Sequence, residues 1–109
     1  GAAVPTDVEK LFDLLLKGEN AKIFAVHFHD TQGKALDNIR TSLQMGITII
    51  DSSTGGLGGC PYAPGAPGNV STEKVITLLQ EISIETGTNL KKVQEASRFI
   101  MQVLKGVLL

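Results

Sequence analysis

Apolar residues along this chain alternate between two spacings, one helical and one continuous, and the alternation outlines the fold. Val8, Leu11, Phe12 and Leu15 fall at i, i+3, i+4 and i+7 and predict a helix over 7–17. Thr6 and Glu9 are spaced as a capping box for its start, Asp7 sits near the positive end of its dipole, and Gly18 suits a left-handed end. Ile23-Phe24-Ala25-Val26 is instead an unbroken apolar run, which predicts a strand near 22–27 covered on both faces. Helical spacing returns at Ala35, Leu36, Ile39 and Leu43, predicting a helix over 34–45 closed by Gly46. Ile47-Thr48-Ile49-Ile50 then predicts a strand near 47–51. Ser71 can cap a helix over 72–84 whose Val75, Leu78, Leu79 and Ile82 form one stripe. Asn89 can cap a helix over 90–105 with Val93, Ala96, Ile100 and Val103 inward. Short parallel strands separated by helices define an α/β protein.

Residues 52–70 interrupt this rhythm with most of the glycine and proline in the chain. A loop longer than about 12–15 residues in a compact domain usually serves a function. A very short third strand fits Gly68-Asn69-Val70. Two or three parallel strands make a poor independent sheet, and the helices carry more apolar face than such a sheet can cover. The segment before Thr6, which opens on Gly1 and not on methionine, reads like the inside of a loop. The expectation is therefore one part of a larger domain.

With 109 residues, 42% hydrophobic and 19% charged, the composition is that of an ordinary globular domain and excludes both a two-domain enzyme and a disordered chain. Ten Lys and Arg against eleven Asp and Glu leave a net charge of −1 without a basic cluster, so a nucleic-acid partner is not expected. The apolar runs fall short of the roughly 20 residues that span a bilayer, and no membrane partner is expected. One cysteine, Cys60, excludes an internal disulfide framework.

The candidate chemistry lies at the strand ends and in the loop. His27 and His29 are two residues apart in a predicted strand and project from one face, at the end where parallel α/β folds bind ligands. They read either as metal ligands or as a hydrogen-bonded pair. Asp30, Asp51 and Asn69 are candidate oxygen ligands, and Cys60 could complete a zinc site instead. Cys60 sits between Gly58-Gly59 and Pro61, where a thiol can approach a substrate and withdraw. Gly55, Gly56, Gly58 and Gly59 lack the Lys-Ser/Thr pair of a phosphate-binding loop and suit a mobile lid.

Taken together, His27-Phe28-His29-Asp30-Thr31, Gln44-Met45-Gly46, Asp51-Ser52-Ser53, Gly56-Leu57-Gly58-Gly59-Cys60-Pro61-Tyr62-Ala63 and Gly68-Asn69 resemble the 3-hydroxy-3-methylglutaryl-CoA lyases. These belong to the DRE-TIM metallolyase superfamily. The His-x-His pair is shared across that superfamily, and the Gly-Gly-Cys-Pro-Tyr loop is particular to the lyases.

The resemblance implies the C-terminal portion of a (β/α)8 TIM barrel, supplying the sixth, seventh and a short eighth strand with the closing helices. A full barrel runs to about 250 residues, so residues 1–109 are expected to be one part of a catalytic domain whose N-terminal half is absent here. It further implies that His27, His29 and Asn69 bind a divalent cation, Mg2+ or Mn2+, and that Cys60 is catalytic, with His27 serving also in proton relay. The implied reaction is cleavage of 3-hydroxy-3-methylglutaryl-CoA to acetyl-CoA and acetoacetate, as in leucine breakdown and ketone-body synthesis. The implied setting is the cytoplasm or the mitochondrial matrix. The family's Asp-Arg-Glu motif is not present in this sequence, so the chain alone is expected to be inactive. Partners expected are an acyl-CoA substrate, the remaining barrel and further copies of the chain. Two other readings share the His-x-His pair: an isopropylmalate or homocitrate synthase-like enzyme, and a non-catalytic metal-binding remnant.

Overall fold

The computed structural model describes residues 1–58 and 68–108. Helix α1 (Pro5–Leu15) leads to strand β1 (Ala25–His27), helix α2 (Ala35–Gln44), strand β2 (Ile49–Asp51), helix α3 (Thr72–Glu81) and helix α4 (Leu90–Leu108). β1 and β2 pair in parallel with Ala25 opposite Ile49, Val26 opposite Ile50 and His27 opposite Asp51. The α/β class and parallel pairing agree with the hydrophobic pattern.

Several element ends differ from the sequence reading, each for a local reason. α1 starts at Pro5, whose ring presets the helical φ and whose missing N–H needs no partner at the first position. The Asp7 carboxylate reaches back to accept from the Val4 N–H at 3.0 Å, so the cap is Val4 and Asp7, not Thr6 and Glu9. α1 buries Val8 and Phe12 and half-buries Leu16, leaving Leu11 and Leu15 exposed; Gly18 stays out of the left-handed region.

β1 is shorter than 22–27. The Asn20 side chain accepts from Lys22 N–H at 3.0 Å and winds Ala21–Ile23 into a 3-10 turn, which leaves Ile23 62% exposed. β1 is covered on one face, at Val26, rather than on both.

β2 is shorter than 47–51 because α2 uses the start of that run. Gly46, left-handed at φ 89°, donates to the Leu43 carbonyl at 3.0 Å while Ile47 N–H donates to Ser42 at 3.1 Å. That pair of bonds is a Schellman ending, and it pulls the Ile47 side chain fully inside, worth about 1.5–3 kcal/mol.

α3 ends at Glu81, short of 84, in the same motif: Ser83 N–H donates to Gln80 and Ile84 N–H to Leu79, with Ser83 left-handed at φ 61°. Ser71 and Asn89 cap α3 and α4 as the sequence indicates, through bonds to Lys74 N–H at 3.2 Å and Lys92 N–H at 3.1 Å. On α4 only Val93 and Ile100 of the expected inward set are half-buried; Ala96 and Val103 are exposed.

Two apolar clusters flank the strand pair. One packs Ile39 of α2 against Val75, Leu78 and Leu79 of α3 with Val70; the other packs Val8 and Phe12 of α1 against Val26 and Ile47. Phe28 and Ile50 contact both clusters, so the strand ends are gripped from either side. No helix among the described residues is long and apolar enough to cross a membrane.

The left-handed Ser83 is a local strain that glycine would relieve. Ser83→Gly is expected to raise unfolding free energy by about 0.5–1 kcal/mol, seen as a higher urea midpoint at unchanged slope; a lower midpoint would contradict the strain.

Candidate functional site at the strand ends

The short third strand expected at 68–70 is present as single-residue bridges. Asp30 N–H donates to the Gly68 carbonyl at 2.7 Å and Val70 N–H to Phe28 at 3.2 Å, which pairs Asn69 with His29 in antiparallel sense. On its other side the segment joins the end of β2, where Ser53 N–H donates to Val70 at 3.1 Å and Thr72 N–H to Ser53 at 2.9 Å. The segment thus wedges between the two strand ends and delivers Asn69 to the histidines.

His27 and His29 lie side by side as the two-residue spacing requires, with ring centroids 5.4 Å apart and planes at 61°. Both nitrogens of His27 are engaged. Nδ1 lies 2.7 Å from Asp51 Oδ2, and Nε2 lies 2.8 Å from Asn69 Oδ1. The Asn69 amide is oriented by its own Nδ2, which donates to the Leu57 carbonyl at 2.8 Å, so an acceptor oxygen faces the ring. A neutral His27 that gives its Nδ1 proton to Asp51 therefore directs a lone pair from Nε2 at another acceptor. At 2.8 Å, Nε2 and the amide oxygen share either a hydrogen on Nε2 or a cation. Among the described residues no three His, Cys, Asp or Glu side chains converge on one point. What the strand ends bring together is two imidazoles and one amide oxygen, from His27, His29 and Asn69.

Two candidate oxygen ligands have other employment. Asp30 is buried, accepts from Ala35 N–H at 3.1 Å to cap α2, and pairs with Lys74 at 3.4 Å. Asp51 is spent on His27. Its role was legible only in the register: Ile23-Phe24-Ala25-Val26-His27 and Ile47-Thr48-Ile49-Ile50-Asp51 both end an apolar run on a polar residue, and parallel pairing sets those last residues opposite one another.

The near side of the glycine loop, read from sequence as a mobile lid, has fixed partners at Gly55, Gly56 and Gly58. Gly55 N–H donates to the Glu73 carboxylate at 3.1 and 3.2 Å, Gly56 N–H to Ser53 at 2.9 Å, and the Gly58 carbonyl accepts from Asn69 N–H at 3.2 Å. Glu73 as the anchor of this turn has no signature in the sequence. At Gly58, φ is 92° and a Cβ would come within 2.6 Å of Asn69 Nδ2. Glycine there permits the close approach to the amide. Gly59 and Cys60 lie outside the described residues.

The HMGL-like family model matches residues 1–100. The chain belongs to the HMGL-like family. It is similar to the hydroxymethylglutaryl-CoA lyase of Bacillus subtilis, 50% identical over 100 residues, a match that covers 92% of this chain and 33% of that protein. The crystal structure of the B. subtilis HMG-CoA lyase superposes with a TM-score of 0.92 at 48% identity, covering 96% of this chain and 35% of that one. An HMG-CoA lyase from Acinetobacter baumannii, solved with coenzyme A and 3-methylmalate, matches at TM-score 0.85 and 35% identity over 96% of this chain and 34% of that one. The chain thus spans about a third of the length of these HMGL-like relatives. Its fold is a portion of their TIM barrel, in keeping with a two-stranded sheet among the described residues.

Gly58→Ala should destabilise the protein by more than the roughly 1 kcal/mol expected at Gly87, which is also left-handed but faces open space. Thermal unfolding of both variants checks this; equal losses would mean that Asn69 yields freely to the added methyl.

Proposed function

We propose that this chain is the part of a carbon–carbon lyase that carries cation ligands and the loop thiol, and that the intact enzyme cleaves 3-hydroxy-3-methylglutaryl-CoA to acetyl-CoA and acetoacetate. Residues 1–109 are on this reading one stretch of a single catalytic barrel, not a domain of their own. The observation that carries the proposal is the convergence of His27 Nε2 and Asn69 Oδ1 at 2.8 Å beside a second imidazole. Such a donor set of imidazole nitrogen and amide oxygen fits a divalent cation such as Mg2+ or Mn2+. His27, His29 and Asn69 would hold it, with remaining ligands from outside this chain. Bound there, the ion would lower the pKa of the substrate's tertiary hydroxyl and stabilise the negative charge that develops as the C–C bond breaks.

The chain's own residues take the other roles. Asp51 holds the His27 ring in place; with Nδ1 on Asp51 and Nε2 toward the cation, the relay expected of His27 has no free nitrogen, and the hydroxyl proton passes to a base outside this chain. Loss of that proton drives C–C scission, in which the hydroxyl carbon becomes the ketone of acetoacetate and the bonding pair remains on the acetyl-CoA enolate. The enolate carbon then takes up a proton, which we assign to the thiol of Cys60. Gly55, Gly56 and Gly58 anchor the loop that brings that thiol to the site, and Gly59 precedes it. The enzyme's setting is the cytoplasm or the mitochondrial matrix, and its substrate enters as an acyl-CoA.

The intact protein should release acetoacetate from 3-hydroxy-3-methylglutaryl-CoA and should not condense acetyl-CoA with a 2-oxo acid; the reverse pattern would favour a synthase. His27→Ala and Asn69→Ala should each weaken Mn2+ binding by about tenfold or more, the low end of what even the outer partners of a ligand contribute. Cys60→Ser should leave Mn2+ affinity unchanged and cut turnover by about 10²–10⁴-fold, the range for a lost general acid. Full turnover in Cys60→Ser would remove the thiol from the mechanism.

A further inference from the structure

We propose that Asp51 is the positioning residue that decides which nitrogen of His27 holds the proton and which presents the electron pair. This rests on the reading that His27 and Asn69 hold the cation, and adds to it a residue that touches neither cation nor substrate. His27 and Asp51 are the last residue pair of the parallel ladder, so the register alone brings them together. Their 2.7 Å separation lies at the short end for an N–H donor and an ionised acceptor. A carboxylate can only accept, so Nδ1 must carry hydrogen, and in the neutral ring the lone pair is confined to Nε2.

The opposite side of the ring supplies the second constraint. Asn69 cannot turn its NH2 toward Nε2 without giving up its bond to Leu57, so Nε2 finds no donor there. An electron pair held against a fixed acceptor is a site prepared for a cation. An asparagine at position 51 would reverse the arrangement. Its NH2 could donate to Nδ1, the ring proton would move to Nε2, and Nε2–H would then donate to Asn69 Oδ1. Every group would be satisfied with no cation present. A substitution of nearly the same size, at a side chain 67% exposed, thereby removes the electron pair without disturbing the core.

The test uses the intact protein with 15N-labelled histidine. Long-range 1H–15N spectra of the metal-free protein at alkaline pH report the tautomer; Mn2+ titration followed by electron paramagnetic resonance reports affinity. Wild type should show the Nδ1–H form. Asp51→Asn should show the Nε2–H form and bind Mn2+ about 10–100-fold more weakly, whereas Asp51→Glu, which can still only accept, should retain the Nδ1–H form. A proton that stays on Nδ1 in Asp51→Asn would overturn the proposal. So would unchanged Mn2+ affinity in Asp51→Asn where His27→Ala loses it. A shifted tautomer alongside His27→Ala that binds Mn2+ as tightly as wild type would uphold the control of His27 by Asp51 and overturn the ligand assignment instead.

Discussion

The site depends on one backbone event, the insertion of residues 68–72 between the ends of two parallel strands. β1 and β2 pair for only three residues, and beyond them the ladder would open. Bonds from Asp30 and Val70 on one side, and from Ser53 and Thr72 on the other, close that gap with a segment distant in sequence. Asn69 lies at the middle of the wedge. Its main chain pairs with His29, its amide oxygen meets His27, and its amide nitrogen holds the Leu57 carbonyl.

Packing holds the wedge from both sides. Phe28, next to His27 and His29, contacts the α1 cluster and the α2–α3 cluster, and so does Ile50, which precedes Asp51. The two residues that form the imidazole–carboxylate pair are therefore adjacent to residues with little room to move. Asp30 adds a third support, since one carboxylate ties the end of β1 to the start of α2 and, through Lys74, to α3. A carboxylate buried without partners would be costly, and here a backbone N–H and an ammonium meet it.

Much of this was legible in the sequence wherever one local signal acted alone. Asn89 and Ser71 cap their helices, Gly46 ends α2, and the His-x-His spacing sets two rings on one face. Elsewhere a stronger neighbour overrode the pattern. Pro5 and Asp7 took the α1 cap from Thr6, Asn20 curled the start of the first apolar run, and the end of α2 captured Ile47. On α4, Ala96 and Val103 are exposed although their spacing placed them on the inward stripe. At the site, residue types were informative and partners were not. Asp30 and Asp51 read alike as oxygen ligands, yet one caps a helix and the other pairs with a histidine ring nitrogen, a distinction made by strand register and helix placement rather than by composition.

The central claim is that His27, His29 and Asn69 ligate one divalent cation. A crystal of the intact protein grown with Mn2+ and measured at the manganese absorption edge tests it most directly. The account predicts a single strong anomalous peak within bonding distance of His27 Nε2, His29 and Asn69 Oδ1, with Asp51 still on Nδ1. A peak bound through Asp30 or Asp51 instead, or a His27–Asn69 contact unchanged beside fully loaded metal elsewhere, would contradict it.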